Sequence, residues 1–327
     1  MRIFIELSGE HPTLPRAEAL AALAAERVEI RSASFDPHVL RLDATGPVER
    51  AVYRLGLAHT VCEEEASGDF DAIRSFARES DLHGRTFRVR ARGLGVDVDA
   101  SAVEGQLGAD FGRTGLVDLG QPSIDYRLLV AGEFLLGRII HRVDRARLEA
   151  TKVARRPFSL PISLHPKFAR ALVNLARVPM AGSVLDPFCG TGGILLEAAS
   201  LGLRPIGLDR ERRMVLGCRA SLHGVANGAL GMADAGHLPL RPGSVHGVAT
   251  DPPYGRAAST RGEPIANLYE RTFHAFRDLL PSGAHAAVVL PDEAMIDLAS
   301  EHLERIEVHA LRVHRSLVRH FCVFLRP

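Results

Sequence analysis

The stretch Val184-Leu-Asp-Pro-Phe-Cys-Gly-Thr-Gly-Gly193 decides the fold of the second half of this 327-residue chain. It runs from an apolar strand that ends at Asp186, through a glycine-rich turn, into a helix that begins at Ile194. The glycines let the backbone pass close to a ligand at the carboxyl end of the strand, where open α/β sheets bind their ligands. A dinucleotide fingerprint would need a third glycine at the position of Leu195, so the loop argues against a nicotinamide cofactor.

The sequence around this loop alternates between apolar strands and amphipathic helices. Near-continuous apolar runs predict strands at residues 183–186, 204–209, 247–250 and 286–290. Stretches with helical periodicity alternate with these strands, at residues 166–175, 192–200, 212–222 and 268–280. The pattern predicts an α/β fold class with a Rossmann-like, doubly wound sheet that is covered by helices on both faces.

Acidic residues lie at three successive strand ends beside the glycine loop. Asp186 would repel a pyrophosphate but attract the ammonium of an aminoacyl group, and S-adenosylmethionine has such a group and no phosphate. Asp209 is placed to accept hydrogen bonds from ribose hydroxyls, and Asp234 to accept them from the adenine amine. Any one of them alone is better explained as a helix cap or turn former, but all three beside one glycine loop predict S-adenosylmethionine as the cofactor. The candidate cofactor-binding residues are Asp186, Phe188, Gly190, Thr191, Gly192, Gly193, Asp209, Asp234 and Ala235.

A second motif, Thr250-Asp-Pro-Pro-Tyr-Gly255, follows a later strand of the same sheet. In isolation it is equally a stiff turn. At this position, the Asp251 carboxylate and the Pro252 carbonyl can each accept an N–H from an exocyclic base amine, whose lone pair then points at a methyl donor. Prolines 252 and 253 hold the turn rigid, and Tyr254 offers a ring on which a flipped base stacks. We therefore predict Asp251, Pro252, Pro253 and Tyr254 as the catalytic residues of an amine methyltransferase.

The N-terminal half predicts two smaller α/β modules. Residues 2–62 have the order β-α-β-β-α-β of a ferredoxin-like unit, and a second module follows to residue 140. Period-two alternation places Arg88, Arg90 and Arg92 on one face of a strand, as an ordinary solvated face or as a stripe that tracks phosphates. The acidic run Glu63–Glu65 is expected to be solvated. A charged segment with prolines beyond it predicts a linker at residues 146–156.

Composition sets limits on the class of protein. The net charge is +1, but residues 1–150 carry 19 arginines against 24 acidic residues, and residues 151–327 carry 21 basic against 15 acidic. Lys152 and Lys167 are the only lysines, which reflects either codon bias or selection for guanidinium groups that bind phosphate. No signal peptide or membrane span is indicated, and four scattered cysteines indicate neither disulfides nor zinc. We expect a cytoplasmic protein with no metal and no membrane partner, and nothing in the sequence requires a protein partner.

Three further segments accompany the two motifs: the opening Glu6-Leu-Ser-Gly-Glu-His11, the entry segment Ser163-Leu-His-Pro-Lys-Phe-Ala-Arg170 and the closing Val313-His-Arg-Ser-Leu-Val-Arg319. In these motifs and segments the chain resembles the THUMP-domain tRNA methyltransferases, and most closely the archaeal enzymes that act on N2 of guanosine 10. The resemblance implies a ferredoxin-like domain at residues 1–65, a THUMP domain at 66–145 and a class I methyltransferase domain at 157–327. It further implies that the N-terminal modules grip tRNA, with contacts from Arg88, Arg90, Arg92, Arg113 and Arg315.

Two other functions remain compatible with the motifs. A DNA adenine-N6 or cytosine-N4 methyltransferase uses the same amine chemistry, and a catalytically silent RNA-binding protein would keep the modules without turnover. Cys189 lies in the glycine loop, where a packing role is favoured over that of a carbon-methylating nucleophile. Subgroups with similar motifs modify other tRNA positions, and mono- and dimethylation both remain open.

Overall fold

The computed structural model describes residues 1–150, 163–225, 228–254, 263–315 and 317–327. These residues form two compact units that interleave along the chain. The first unit comprises residues 1–12, 28–53 and 58–143, and the second comprises residues 13–27, 54–57 and 144–327. The predicted domain boundaries at 65 and 145 remain a prediction, although residue 65 lies inside a strand.

The first unit is built on one eight-stranded sheet with the order β2-β3-β1-β4-β8-β7-β5-β6. Its strands are β1 (Arg2–Leu7), β2 (Glu29–Asp36), β3 (Val39–Thr45), β4 (Ala58–Gly68), β5 (Thr86–Gly93), β6 (Leu116–Val117), β7 (Ile124–Ala131) and β8 (Glu133–Arg142). Its helices are α2 (Val48–Tyr53), α3 (Phe70–Glu79) and α4 (Ala100–Phe111). The first four strands pair antiparallel in the order expected of the predicted ferredoxin-like unit, and β4 pairs onward with β8.

The acidic run Glu63–Glu65 lies within β4, which is longer than the strand predicted from the sequence. The prediction of a solvated run is wrong at Glu64, whose side chain is 2% exposed. Arg41 donates two hydrogen bonds to this carboxylate. Arg41 lies on β3, and its positive charge compensates the buried carboxylate of Glu64. Strand β4 can therefore continue through a charged stretch, because a paired charge can be buried where an isolated one cannot.

The second unit contains the predicted doubly wound sheet, with the order β11-β10-β9-β12-β13-β15-β14. Its strands are β9 (Ser183–Asp186), β10 (Arg204–Asp209), β11 (Ala229–Met232), β12 (Gly247–Thr250), β13 (His285–Leu290), β14 (Glu304–His314) and β15 (Leu317–Leu325). Its helices are α1 (Leu14–Ala25), α5 (Arg145–Ala150), α6 (Pro166–Leu175), α7 (Gly193–Ser200), α8 (Arg212–Ser221), α9 (Ile265–Leu279) and α10 (Glu293–Ser300). The strands from β11 to β13 are parallel, and the β14–β15 hairpin adds an antiparallel edge.

Strand β13 shows why the run at 286–290 has no polar alternation. Ala287 and Val289 pack into a cluster with residues of α1, α6 and α7. Ala286, Val288 and Leu290 pack into a second cluster with residues of α9 and α10. Both faces of the strand are therefore buried under helices, as a doubly wound sheet requires.

Helix α1 belongs to the second unit, although its sequence position suggested the ferredoxin-like domain. Glu18 on this helix is fully buried, and its carboxylate accepts hydrogen bonds from the backbone amides of Gly56 and Leu57 and from the Asn174 side chain. Burial raises the pKa of Glu18 to about 7. The carboxylate thus joins α1, residues 54–57 and α6 in one core.

The predicted linker at 146–156 is only partly described. Residues Arg145–Ala150 form helix α5. The remainder of the linker, with Lys152, and the prolines beyond it, Pro157 and Pro161, lie outside the described residues. In the described ranges, no helix is both long enough and apolar enough to cross a membrane.

Candidate active site

The carboxyl ends of β9 and β12 open into a cleft of about 1180 Å³. The two strands are parallel neighbours, with Val184 beside Gly247 and Leu185 beside Val248. From β9 the chain first adds β10 and β11 on one side, and it then crosses back to add β12 and β13 on the other side. The gap between β9 and β12 is therefore the topological switch point, where α/β sheets bind ligands. Of the predicted catalytic and cofactor-binding residues, all except Gly192 line the cleft: Asp186, Phe188, Gly190, Thr191, Gly193, Asp209, Asp234, Ala235, Asp251, Pro252, Pro253 and Tyr254.

Gly192 does not line the cleft, but its backbone conformation sets the path of the glycine loop that does. It is the N-cap residue immediately before helix α7, and its φ of +82° lies in the left-handed region that favours glycine. A Cβ atom there would lie 2.8 Å from the Cys218 sulfur, closer than packed atoms tolerate. Glycine is therefore required for the loop to lie against α8, and the amino end of α7 is thereby directed at the cleft.

Asp186 is the most buried acidic group in the cleft, at 1% exposure. Its Oδ1 accepts hydrogen bonds from the Thr250 hydroxyl at 2.7 Å and from the Phe188 amide at 3.2 Å. Both donors are neutral, and burial raises the pKa of Asp186 to about 7. The site therefore holds a buried carboxylate whose protein partners carry no compensating charge.

The next two acidic residues have structural partners as well as places in the cleft. Asp209 accepts hydrogen bonds from the amides of Gly190 and Glu211, so it joins the glycine loop to the start of α8. Asp234 is bound by Arg271 at 2.8 Å, and the same guanidinium binds Glu263 at 3.0 Å. The cap interpretation and the ligand interpretation are compatible for both residues, since each carboxylate also faces the cleft.

The turn after β12 brings an acceptor and an aromatic ring together. The Tyr254 hydroxyl donates a hydrogen bond to Asp251 Oδ1, and the Tyr269 hydroxyl donates to the Pro253 carbonyl at 3.2 Å. Burial raises the pKa of Asp251 to about 6, against the opposing effects of Arg319 and Tyr254. Gly255, the last residue of the predicted motif, lies outside the described residues.

Three residues that support this turn were not predicted from the sequence. Thr250 binds Asp186, Tyr269 on α9 fixes the proline turn, and Arg319 on β15 lies 3.8 Å from Asp251 Oδ2. Tyr269 has the spacing of an ordinary core residue of an amphipathic helix, so the sequence gives no signal for it. The sequence does give a signal for Arg319, because it is a charged residue beside the apolar run Phe321–Leu325.

The arginines predicted to contact RNA divide into two groups. Arg88, Arg90 and Arg92 each bind a carboxylate of the first unit, those of Asp125, Glu104 and Glu6 respectively. Arg113 and Arg315 are exposed. A contact between RNA and the first three would compete with their ion pairs, so their role in binding remains a prediction.

Cys189 has the surroundings of a packing residue. It is 4% exposed and clusters with Leu195, Cys218 and Leu222. The hydrogen bond with Cys218 and burial both raise the pKa of its thiol, which disfavours the thiolate that a nucleophile needs. Among the described residues, no group of three or more His, Cys, Asp or Glu side chains is arranged to hold a metal ion.

The cleft fits S-adenosylmethionine by the chemistry of its donors. Asp186 offers a buried carboxylate whose hydrogen-bond donors, within the described residues, are neutral, and Asp209 offers a second carboxylate 3.1 Å from the Gly190 amide. The volume exceeds that of a usual small-molecule pocket, which leaves room for a base beside the cofactor.

Comparison with known proteins points in the same direction. Residues 154–320 match the family model described as "RMKL-like, methyltransferase domain". The chain is 35% identical to a tRNA (guanine(10)-N2)-dimethyltransferase of Methanothermobacter thermautotrophicus, over 98% of each chain. It is 36% identical to a tRNA (guanine(6)-N2)-methyltransferase of Thermus thermophilus, over 65% of this chain and 64% of that protein. The crystal structure of TrmN from Thermus thermophilus shares the fold, with a TM-score of 0.58, 24% identity and full coverage of both chains.

Proposed function

The chain belongs to the tRNA guanine-N2 methyltransferases with an RMKL-like methyltransferase domain, and from that premise we propose that it transfers one or two methyl groups to N2 of guanosine 10 in tRNA. S-adenosylmethionine is the proposed methyl donor and tRNA the proposed macromolecular partner. Position 10 is favoured over position 6 because the similarity to the position-10 enzyme extends over 98% of each chain. A tRNA substrate agrees with the cytoplasmic location expected from the sequence.

One observation carries the proposal: the amine acceptors and the cofactor carboxylate share a cleft on adjacent strands. Asp251 follows Thr250 at the end of β12, and the Thr250 hydroxyl donates a hydrogen bond to Asp186 at the end of β9. A base amine held at Asp251 therefore meets the methyl donor held at Asp186. Alignment of this kind supplies much of the rate of a bimolecular transfer.

The residues of the cleft match the needs of an exocyclic amine. Guanine N2 is a weak nucleophile because its lone pair is delocalised into the ring. The Asp251 carboxylate and the Pro252 carbonyl each accept one of its N–H groups, which favours a pyramidal nitrogen with its lone pair directed into the cleft. When bound, S-adenosylmethionine supplies an electrophilic methyl group on a sulfonium sulfur. N2 gives up one proton after the transfer, and the Asp251 carboxylate is the base nearest to it.

Tyr254 and Tyr269 have different tasks in this scheme. The Tyr254 ring supplies a stacking surface for the flipped guanine while its hydroxyl orients Asp251. Tyr269 binds the neighbouring Pro253 carbonyl, and it thereby fixes the turn that presents the carbonyl of Pro252. Four arginines of the N-terminal modules and one near the end of the chain are the proposed contacts to the tRNA backbone: Arg88, Arg90, Arg92, Arg113 and Arg315.

The test is methylation of an unmodified tRNA transcript with labelled donor, followed by mass spectrometry of its nucleosides. We expect N2-methylguanosine in the native transcript and none when guanosine 10 is replaced by adenosine. Asp251→Ala should lower the single-turnover rate by roughly 10²–10³-fold, since it removes an acceptor at the reacting nitrogen, while cofactor affinity is retained. Asp297→Ala is the matched control, because this side chain is 75% exposed on α10 and does not line the cleft.

Other outcomes would identify the competing functions. Loss of labelling on replacement of guanosine 6, with labelling intact after replacement of guanosine 10, would favour the position-6 activity. Label in duplex DNA instead of tRNA would indicate a DNA amine methyltransferase. Binding of cofactor and tRNA without turnover on any transcript would indicate a silent RNA-binding protein.

A further inference from the structure

Arg319 is a charged side chain in the wall of the cleft, on β15. Its side chain is 12% exposed, and Nη2 lies 3.8 Å from Asp251 Oδ2. Its guanidinium carbon lies 6.0 Å from the centroid of the Tyr254 ring, within the range of a cation–π contact. Arg319 therefore faces both side chains that the proposed function assigns to the guanine.

The groups around Asp251 give Arg319 its importance. Tyr254 from the same turn, Tyr269 from α9 and Thr250 from β12 carry neutral hydroxyls. Asp186 from β9 and Asp292 before α10 are acidic, and the imidazole of His314 on β14 also lines the cleft. Among these described groups Arg319 is the permanent cation. Its charge lowers the pKa of Asp251, which burial raises to about 6. Without that charge the carboxylate would be further protonated near neutral pH, and it would lose acceptor capacity.

The separation of the pair bears on how this charge acts. At 3.8 Å the contact is electrostatic and longer than a hydrogen bond, so the guanidinium stabilises the anion without occupying a lone pair of Oδ2. Oδ1 accepts from Tyr254, which leaves Oδ2 as the oxygen that faces a substrate amine. A bidentate arginine pair, such as the one Arg127 makes with Glu6 in the first unit, would instead occupy both oxygens.

We propose that Arg319 is a positioning residue of the methyl-transfer site, which keeps the Asp251 carboxylate ionised with Oδ2 available to the guanine amine and holds the Tyr254 ring in place. The inference rests on the proposed function, because it assigns Asp251 to the amine. It adds a requirement from β15, two strands away from β12 in the sheet and 68 residues along the chain from Asp251.

The test compares Arg319→Gln, Arg319→Lys and the control Arg305→Gln. Arg305 lies on β14 of the same hairpin, and its 48% exposed side chain does not line the cleft. Single-turnover rates on tRNA are measured from pH 5.5 to 9 at saturating cofactor. We expect the acid limb of the Arg319→Gln profile to move up by about one pH unit, a loss of about tenfold on that limb that is regained at high pH. Arg319→Lys keeps the positive charge and should therefore return most of the way to the native profile, and the control should follow the native profile.

A second readout does not depend on turnover. Carboxyl carbons of ¹³C-labelled aspartate are titrated by NMR in the presence of S-adenosylhomocysteine, with the Asp251 signal identified by its loss in Asp251→Asn. We expect Asp251 to titrate about one unit higher in Arg319→Gln than in the native protein. Equal titration in the two proteins, or a rate that falls uniformly at every pH, would overturn the proposal and leave Arg319 a purely structural role. If no tRNA is methylated, the proposed function fails, but the NMR titration still decides whether Arg319 controls Asp251.

Discussion

Two buried carboxylates, Glu6 in the first unit and Asp186 in the second, show how differently one chain treats the same chemical group. Glu6 is fully buried, and it accepts hydrogen bonds from Arg92, Arg127 and Thr60. Burial raises the pKa of Glu6, but Arg127 and Thr60, helped by His59, bring it below its ordinary value. Asp186 is equally buried with only neutral donors, and its pKa is raised to about 7.

The difference separates a structural carboxylate from one that we propose binds the cofactor. Glu6 is compensated by cations of its own sheet, so nothing further is needed to make its charge favourable. Asp186 carries an uncompensated cost that a cationic group in the cleft would relieve. The same contrast distinguishes Glu64, bound by Arg41, from Asp251, which Arg319 approaches only to 3.8 Å.

The largest expected effect tests the structural side of this contrast. Glu6→Gln should lower the free energy of unfolding of the first unit by about 3 kcal/mol, because two guanidinium groups lose their anion. The estimate takes the low end of the range for buried pairs, since Arg92 is 45% exposed. Urea unfolding with hydrogen exchange at the β1 amides measures it. Stability equal to that of the native protein would show that the Glu6 cluster contributes little.

The next effect tests the ligand side. Asp186→Asn keeps both hydrogen bonds to Oδ1 but removes the charge, so S-adenosylmethionine should bind on the order of 10²-fold more weakly. Isothermal titration calorimetry measures the Kd, and Asp297→Asn serves as the exposed control. Native affinity in Asp186→Asn would remove Asp186 from the set of cofactor ligands.

A smaller effect concerns pH and the protein without cofactor. The pKa of Asp186 is higher in the folded state than the usual unfolded value of about 4, so folded Asp186 retains a proton that the unfolded chain releases between about pH 4 and 7. Its contribution to stability therefore falls as the pH rises through that window. Asp186→Asn should become more stable than the native protein by about 1–3 kcal/mol at pH 8 and should lose this advantage near pH 4. A difference in unfolding free energy that does not vary with pH would contradict the raised pKa.

The smallest effect sharpens the role of Arg92, which is both a partner of Glu6 and a predicted RNA contact. Arg92→Gln should lower the free energy of unfolding by about 1 kcal/mol, because Arg127 remains on Glu6. If Arg92 also binds phosphate, tRNA affinity falls by a few fold and its salt dependence weakens by about one ion. Unchanged tRNA binding at 50 and 200 mM salt would assign Arg92 to Glu6 alone.

Local pattern was enough to predict much of the second unit. The predicted strands at 183–186, 204–209 and 247–250 and the helix at 166–175 have the observed bounds, because each is a short apolar or amphipathic run with its own turn signals. Strand β11 and the β14–β15 hairpin were not predicted. Residues of β11 and β14 are exposed or half-buried along most of their length, so no continuous apolar run marks those two strands. Strand β15 does contain the apolar run Phe321–Leu325, although no strand was predicted there.

Local sequence is enough to specify the glycine loop, the acidic residues at the strand ends and the Asp-Pro-Pro-Tyr turn, since each depends on neighbours within a few residues. The side chains that surround these motifs depend on the packing of distant segments. This packing brought Arg319 to Asp251, bonded Thr250 to Asp186 and joined α1 to α6 through Glu18. These contacts link residues 64 to 156 positions apart, and no local pattern encodes which distant side chains meet when a sheet and its helices pack.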